Sequence, residues 1–247
     1  MDKEQNARPE RRPPSALQRL GAEFAGTFLL TFVAAGADIL DTATPPGTIG
    51  HVARYVAPAL LVMAMISSLS AISGAHINPV VTLAFLVRRC FPAARSAAYV
   101  LVQVTGAVAA AVALRAIFGG AAIVNGITKP AFSYTDVQAV AVETFLTFVL
   151  VYTILATAEE KPTVGKNAAL AVAGVIAMSG LAFSPVSGAS MNPARSLGPM
   201  IAAGSFGHLW VYLIGPVVGS LAAVGAAWFI HGDPSPDETK AARGDGG

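Results

Sequence analysis

Polar and apolar positions along this chain segregate into long blocks. Six apolar stretches of membrane-crossing length occur, at roughly 16–37, 54–72, 94–117, 136–157, 167–184 and 207–230, with charges falling almost entirely between them. A bilayer's hydrocarbon core takes about 20 helical residues, so the pattern predicts six transmembrane helices. Two further apolar pieces, 78–88 and 192–202, have only 11 residues each. At ~1.5 Å per residue each makes about 16 Å of helix. That is half a bilayer, and two meeting end to end would cross it. Each opens with Asn-Pro, a good N-cap followed by a first helical residue that has no amide to leave unpaired.

Composition agrees. Of 247 residues, 54% are hydrophobic and 12% charged, and mean hydropathy is +0.62. A soluble chain carries about 25% charged residues, so this one is expected to sit in lipid. A net charge of +2 and the absence of a Lys/Arg run give no footing for nucleic acid. Cys90 is the single cysteine. That excludes an intrachain disulfide and a multi-cysteine metal site, and the thiol reads as a packing residue. No metal or cofactor is expected. The N-terminus superficially resembles a cleavable signal, with Arg8, Arg11 and Arg12 before an apolar run. The run from Ala16 to Ala37 is 22 residues, however, beyond a signal core of about 7–15, and reads as a retained helix.

The expectation is one membrane domain over 16–231, in halves of about 16–120 and 134–231, with solvated, disordered tails at 1–15 and 232–247. An even number of spans puts both termini on one side. That side holds Lys3, Arg8, Arg11, Arg12, Arg19, Arg88, Arg89, Arg95, Lys161, Lys166, Lys240 and Arg243, twelve of the sixteen basic residues. Positive charge marks the cytoplasmic face, so both termini are expected there, in a multi-pass protein of the cell (inner or plasma) membrane.

The decisive feature is an internal repeat. The first half reads Glu23-Phe24-Ala25-Gly26-Thr27-Phe28, then Ser73-Gly74-Ala75-His76-Ile77-Asn78-Pro79. The second reads Glu143-Thr144-Phe145-Leu146-Thr147-Phe148, then Ser187-Gly188-Ala189-Ser190-Met191-Asn192-Pro193. Glu to Asn spans 55 residues in one half (23 to 78) and 49 in the other (143 to 192). Three spans per half turn the second half upside down. Inverted repeats with broken helices place a functional site at the repeat interface near the midplane.

These two segments, with Val80-Val81-Thr82-Leu83-Ala84 after the first and Ala194-Arg195-Ser196-Leu197-Gly198-Pro199 after the second, closely resemble the signature loops of the aquaporin, or major intrinsic protein, family. The resemblance runs from about 16 to 230. It departs at Val80, where the family usually has alanine. It implies an all-α membrane protein of six transmembrane helices plus two re-entrant half-helices, assembled as a homotetramer with one pore per subunit.

The Gly- and Ser-rich segments 73–78 and 186–192 would line the pore, since non-helical backbone at membrane depth must be buried or line a wet cavity. Asn78 and Asn192 would donate to water at the midplane, where each helix start adds about +0.5 elementary charge. That arrangement interrupts a proton wire and repels cations. Arg195, the one basic residue deep in an apolar stretch, is placed by the resemblance at the narrow outer constriction. Ungapped matching adds Pro58, Gly180 and Ala189. Small residues at 180 and 189 imply an opening wider than that of strict water channels.

Glu23 and Glu143 read as supports accepting hydrogen bonds from the irregular loops, and Gln103 as part of that network. His76 either lines the cytoplasmic vestibule or packs in the interior. Gly26, Gly106, Gly215 and Gly219 read as helix contacts. The Tyr212-Leu213 pair resembles the plant nodulin-like branch and its bacterial relatives, which pass water, glycerol or small neutral hydroxylated solutes. Where the glycerol facilitators have Asp and a basic residue, this chain has Ser196 and Met200.

The function implied is a passive channel for water and small uncharged solutes such as glycerol, excluding protons and ions. The alternatives are a strictly water-selective channel and, further off, a secondary transporter, which would carry more acidic coupling residues within its spans. An intramembrane enzyme finds no metal cluster, nucleophile pair or nucleotide loop in the sequence. An ion channel conflicts with the positive midplane and Arg195.

Overall fold

The computed structural model describes residues 13–158 and 167–245. Among them are helices α1 (Ala16–Ala43), α2 (Gly50–Ser73), α3 (Pro79–Val87), α4 (Ala93–Phe118), α5 (Asp136–Thr157), α6 (Ala168–Ser187), α7 (Pro193–Ala203), α8 (Leu209–His231) and α9 (Pro236–Arg243), with a 3₁₀ turn at Ala122–Gly126. Six of them, α1, α2, α4, α5, α6 and α8, are long and apolar enough to cross a membrane. The short α3 and α7 start at Asn78 and Asn192 as expected.

The repeat reaches further than the two signature loops. Ser15 and Thr135, each eight residues before its glutamate, accept from the N–H of Gln18 and Gln138, whose side chains bond back to the caps. The same capping box thus starts both halves. Packing follows the symmetry: α1 lies on α4 as α5 lies on α8, α2 meets α6 between the halves, and each half-helix packs on the last span of the other half, α3 on α8 and α7 on α4. Backbone contact requires glycine at the crossings. A Cβ on Gly106 would lie 2.6 Å from the Phe24 carbonyl oxygen, and one on Gly219 2.3 Å from that of Thr144. A Cβ on Gly26 would lie 2.3 Å from the Ile77 Cγ2, and one on Gly215 2.7 Å from the Glu143 Cβ.

Two expectations need correction. The first span runs to Ala43 rather than 37, because Asp38 and Asp41, which look like a terminus in sequence, are ion-paired with Arg54 and Arg195. The C-terminal segment is not a disordered tail from 232 onwards: 236–243 form α9, capped by Ser235. The Glu238 carboxylate takes both Nε and Nη2 of Arg88, at 2.9 and 2.6 Å, and both side chains are fully buried. Arg19 pairs with Asp245 and donates to the Arg243 carbonyl. The segment is polar because it supplies counter-charge to two arginines at the end of the bundle. Residues 1–12 of the expected N-terminal tail, and Lys161 and Lys166, lie outside the described residues.

Candidate functional site

The loops between α2 and α3 and between α6 and α7 share one irregular backbone path. Ala75 and Ile77 have φ of 49° and 41°, and Ala189 and Met191 have 47° and 53°. Each left-handed non-glycine residue costs roughly 1–3 kcal/mol and persists only if its surroundings enforce it. Glu23 supplies that in the first half. Its Oε1 accepts from Ser73 Oγ and the His76 N–H (2.7 and 2.9 Å), and its Oε2 from the Ile77 N–H and Gln103 Nε2 (2.7 and 2.8 Å). Glu143 does the same in the second, accepting from Ser187 Oγ, the Ser190 N–H and the Met191 N–H at 2.7, 2.9 and 2.7 Å. Both carboxylates are fully buried.

Sequence reasoning missed the third member of each set. Tyr99 and Tyr212 donate to the carbonyls of Ser73 and Ser187, at 3.0 and 2.5 Å. Each stands seven residues before Gly106 or Gly219, a repeat signal that was available in the sequence.

The loops meet through their asparagines. Asn78 Nδ2 donates to the Met191 carbonyl at 2.8 Å, and Asn192 Nδ2 to the Ile77 carbonyl at 2.9 Å. Their Oδ1 atoms cap the helix starts, from Val80 N–H in one case and from Ala194 and Arg195 N–H in the other. Each amide therefore uses one of its two hydrogens to lock the opposite loop and keeps one. Val80, the departure from the family motif, is buried, and its carbonyl accepts from Ser220.

Pro58, Gly180, Ala189 and Arg195 come together around one cavity of about 60 Å³. Among the side chains that the sequence did not suggest as site residues, Asp38, Arg54 and Tyr55 share its wall. A Cβ on Gly180 would lie 2.5 Å from the Tyr55 Cβ and 2.7 Å from its ring. Tyr55 thus fills the space left by the bare glycine. His51 stacks edge-on against Tyr55 (centroids 5.0 Å apart), and its Nε2 lies 3.0 Å from the Leu181 carbonyl. That carbonyl is freed because Pro185, four residues on, has no N–H to give it.

Arg195 is 6% exposed. Its Nη2 donates to Asp38 Oδ2 at 2.9 Å, and its Nη1 is buried with no partner among the described residues. Asp38 Oδ1 accepts from Arg54 Nη2 at 2.7 Å, and Arg54 Nη1 donates to Asp41 at 2.8 Å.

His76 takes the packing alternative. It is 2% exposed, stacked among Phe85, Phe91 and Tyr99. Its Nε2 faces the Ala242 carbonyl of α9 at 2.9 Å, so that nitrogen carries the proton, and its Nδ1 faces Thr82 Oγ1. It does not stand free in a vestibule, because α9 folds back over it. Gln103 is a buried network member, bonded to Glu23 and Thr82. Ser196 is buried between the hydroxyls of Thr128 and Ser190, and Met200 is core. No group of three or more His, Cys, Asp or Glu that could hold a metal occurs among the described residues.

Comparison with known proteins places this geometry. The family model for the major intrinsic protein matches residues 10–228. The chain is 43% identical to aquaporin NIP1-3 of Oryza sativa subsp. japonica over 211 residues, covering 85% of this chain and 72% of the relative. It is 42% identical to aquaporin NIP1-1 of Zea mays over 212 residues, 86% and 73% of the two chains. These relatives bear out the nodulin-like resemblance. Among solved structures, the aquaglyceroporin from Plasmodium falciparum superposes with a TM-score of 0.74 at 24% identity, covering 88% of this chain and 97% of that one. At that identity the likeness speaks for the fold.

Proposed function

This chain belongs to the major intrinsic protein family, and from that premise we propose that it is a passive channel for water and small uncharged solutes such as glycerol, closed to protons and ions. The family is one of channels rather than enzymes. The observation that carries the reading is the crossed asparagine pair at the junction of α3 and α7. Two helix starts aim their positive ends at one point, and the second hydrogen of each asparagine amide remains to bond a passing water. A water bonded there directs its hydrogens outward on both sides, which breaks a proton wire, and the converging dipoles repel cations. At the constriction the Arg195 guanidinium, which lines the cavity, supplies the donor to a solute oxygen.

The remaining features follow the family. Arg88, Arg89, Arg95, Lys240 and Arg243 cluster with α9 at the end that carries the termini, which supports a cytoplasmic placement of both in the cell membrane. Exposed apolar side chains such as Leu60, Leu101, Val112 and Leu170 suit lipid and the neighbouring subunits of a homotetramer. A water-only channel is the second reading, favoured by Tyr55 lying across Gly180.

Stopped-flow light scattering on proteoliposomes separates the two. An impermeant osmolyte reads water flow, and inward gradients of glycerol and urea read solute flow. Fast shrinkage followed by rapid re-swelling is the expected result. Shrinkage without re-swelling selects the water-only reading, and no acceleration over empty vesicles refutes the channel.

A further inference from the structure

Asp38 is not among the four matched constriction positions, and the repeat does not duplicate it. The residue standing as far beyond Glu143 as Asp38 stands beyond Glu23 is Ala158. We propose that Asp38 is a positioning residue of the constriction, holding the Arg195 guanidinium against the α1 wall so that the passage stays open to solutes larger than water. The proposal rests on the channel reading above and names what sets its solute range.

Three observations carry it. The bond from Nη2 to Asp38 is the one hydrogen bond the Arg195 guanidinium makes among the described residues, while Nη1 is buried beside it without a partner. Asp38 is fixed from its other side, because Arg54 grips its Oδ1 through Nε and Nη2 at 3.2 and 2.7 Å and is itself held by Asp41. The carboxylate is therefore an anchor on a rigid helix end rather than a mobile counterion. Finally, Asp38, Arg54 and Arg195 all line the same cavity of about 60 Å³ as Tyr55.

In the chain Arg195, Asp38, Arg54, Asp41, positive and negative charges alternate and cancel. With Asp38 in place, Arg195 offers one N–H to a solute and keeps the rest of its head against α1. Once Asp38 is neutralised, the ionic part of that hold is gone and Arg54 repels the guanidinium, which favours its swing across the cavity toward Tyr55 and Ala189. A head group in so small a space obstructs a three-carbon solute far more than a water molecule. The constriction also then carries an uncompensated positive charge.

The test is Asp38→Asn, reconstituted at the same protein amount as the wild type, with water and glycerol permeabilities measured in the same vesicles. Loss of one charge-assisted hydrogen bond sets the scale at roughly tenfold. Glycerol permeability is expected to fall by that much while water stays within about twofold. A merely structural role would lower both together and leave the ratio unchanged, and that result overturns the proposal. Asp38→Glu keeps the charge but displaces it by one methylene, so its ratio should lie between the other two. It serves as the test if the asparagine variant does not fold, and a fall of both permeabilities there at an unchanged ratio is equally fatal. Should the wild type pass no glycerol, the wide-channel reading fails first. The tether is then read from water alone, which Asp38→Asn must slow.

Discussion

Glu143→Gln is the sharpest probe of the loop that presents Asn192. The carboxylate faces donors only: Ser187 Oγ and Ser190 N–H on one oxygen, Met191 N–H on the other. Glutamine is nearly isosteric, but it replaces one acceptor oxygen by an NH₂. If that group takes the place of Oε2, it meets the Met191 N–H. If it takes the place of Oε1, it meets the Ser190 N–H, and the Ser187 hydroxyl cannot relieve both. Either way one buried backbone N–H loses its partner, which costs about 1–3 kcal/mol. The loss falls on Ala189 and Met191, whose left-handed φ values of 47° and 53° depend on those bonds. At about 1.4 kcal/mol per factor of ten, the ratio of loops with a correctly placed Asn192 to loops with a misplaced one drops roughly 5- to 150-fold. Water permeability per reconstituted chain, measured by stopped-flow shrinkage, should fall, by no more than that factor, while the chain still inserts and gives a helical circular-dichroism spectrum. Wild-type permeability in Glu143→Gln would refute the reasoning, since it would mean that the loop keeps its path without its anchor.

Three further outcomes are expected. Gly219→Ala places a methyl 2.3 Å from the Thr144 carbonyl oxygen, so α5 and α8 must separate; overpacking of this kind costs roughly 1–3 kcal/mol, to be read as a lower melting temperature in detergent. Glu238→Gln removes the carboxylate that pairs with Arg88 inside the protein. Breaking such a pair costs about 3–5 kcal/mol, and limited proteolysis should then cut within 232–245, where the wild type resists. Burial, reinforced by the charge of Glu238, pushes the Cys90 thiol from 9.0 up to about 12. The folded chain keeps that proton where an unfolded one loses it, so the stability Cys90 contributes is full below about pH 9 and lost as pH rises toward 12. Maleimide at neutral pH should leave the folded protein unlabelled and modify it after denaturation.

The parts legible in sequence were those written twice. Two Ser-Gly-Ala segments ending in Asn-Pro, two glutamates and two membrane-length apolar blocks flanking each were enough to place Asn78, Asn192, Glu23 and Glu143, because a repeat supplies its own internal control. Features written once were harder to read. Asp38 looked like the end of a helix because a carboxylate in an apolar run is unfavourable until its partners are known, and those lie 16 and 157 residues away. Tyr55 was invisible for a similar reason: a small residue at Gly180 says only that space exists, not which neighbour fills it. α9 reads as solvated tail by composition, yet Glu238 is drawn in by Arg88, 150 residues earlier. In each case the missing information was a long-range electrostatic or steric partner, which periodicity and capping signals do not carry.

The division between doubled and single features also separates two tasks. Exclusion of protons and cations must work from both faces of a membrane, and the main supports of the two loops are paired about the repeat axis, Glu23 with Glu143, Ser73 with Ser187, Asn78 with Asn192 and Tyr99 with Tyr212, with Gln103 as a single addition on the Glu23 side. Selection of solute needs only one narrow point, and the proposed constriction is accordingly asymmetric, its cavity lined by Arg195, Asp38 and Tyr55, which are unmatched in the other half. The two can then change independently. A substitution at Tyr55 or Asp38 alters which neutral molecule passes without touching the hydrogen bonds that hold the asparagines. A substitution at Glu23 or Glu143 damages the barrier whatever the constriction admits. Measured together, proton leak and solute ratio should therefore respond to different sets of variants, and a constriction variant that opened the midplane to protons would show that the two stations are not separable.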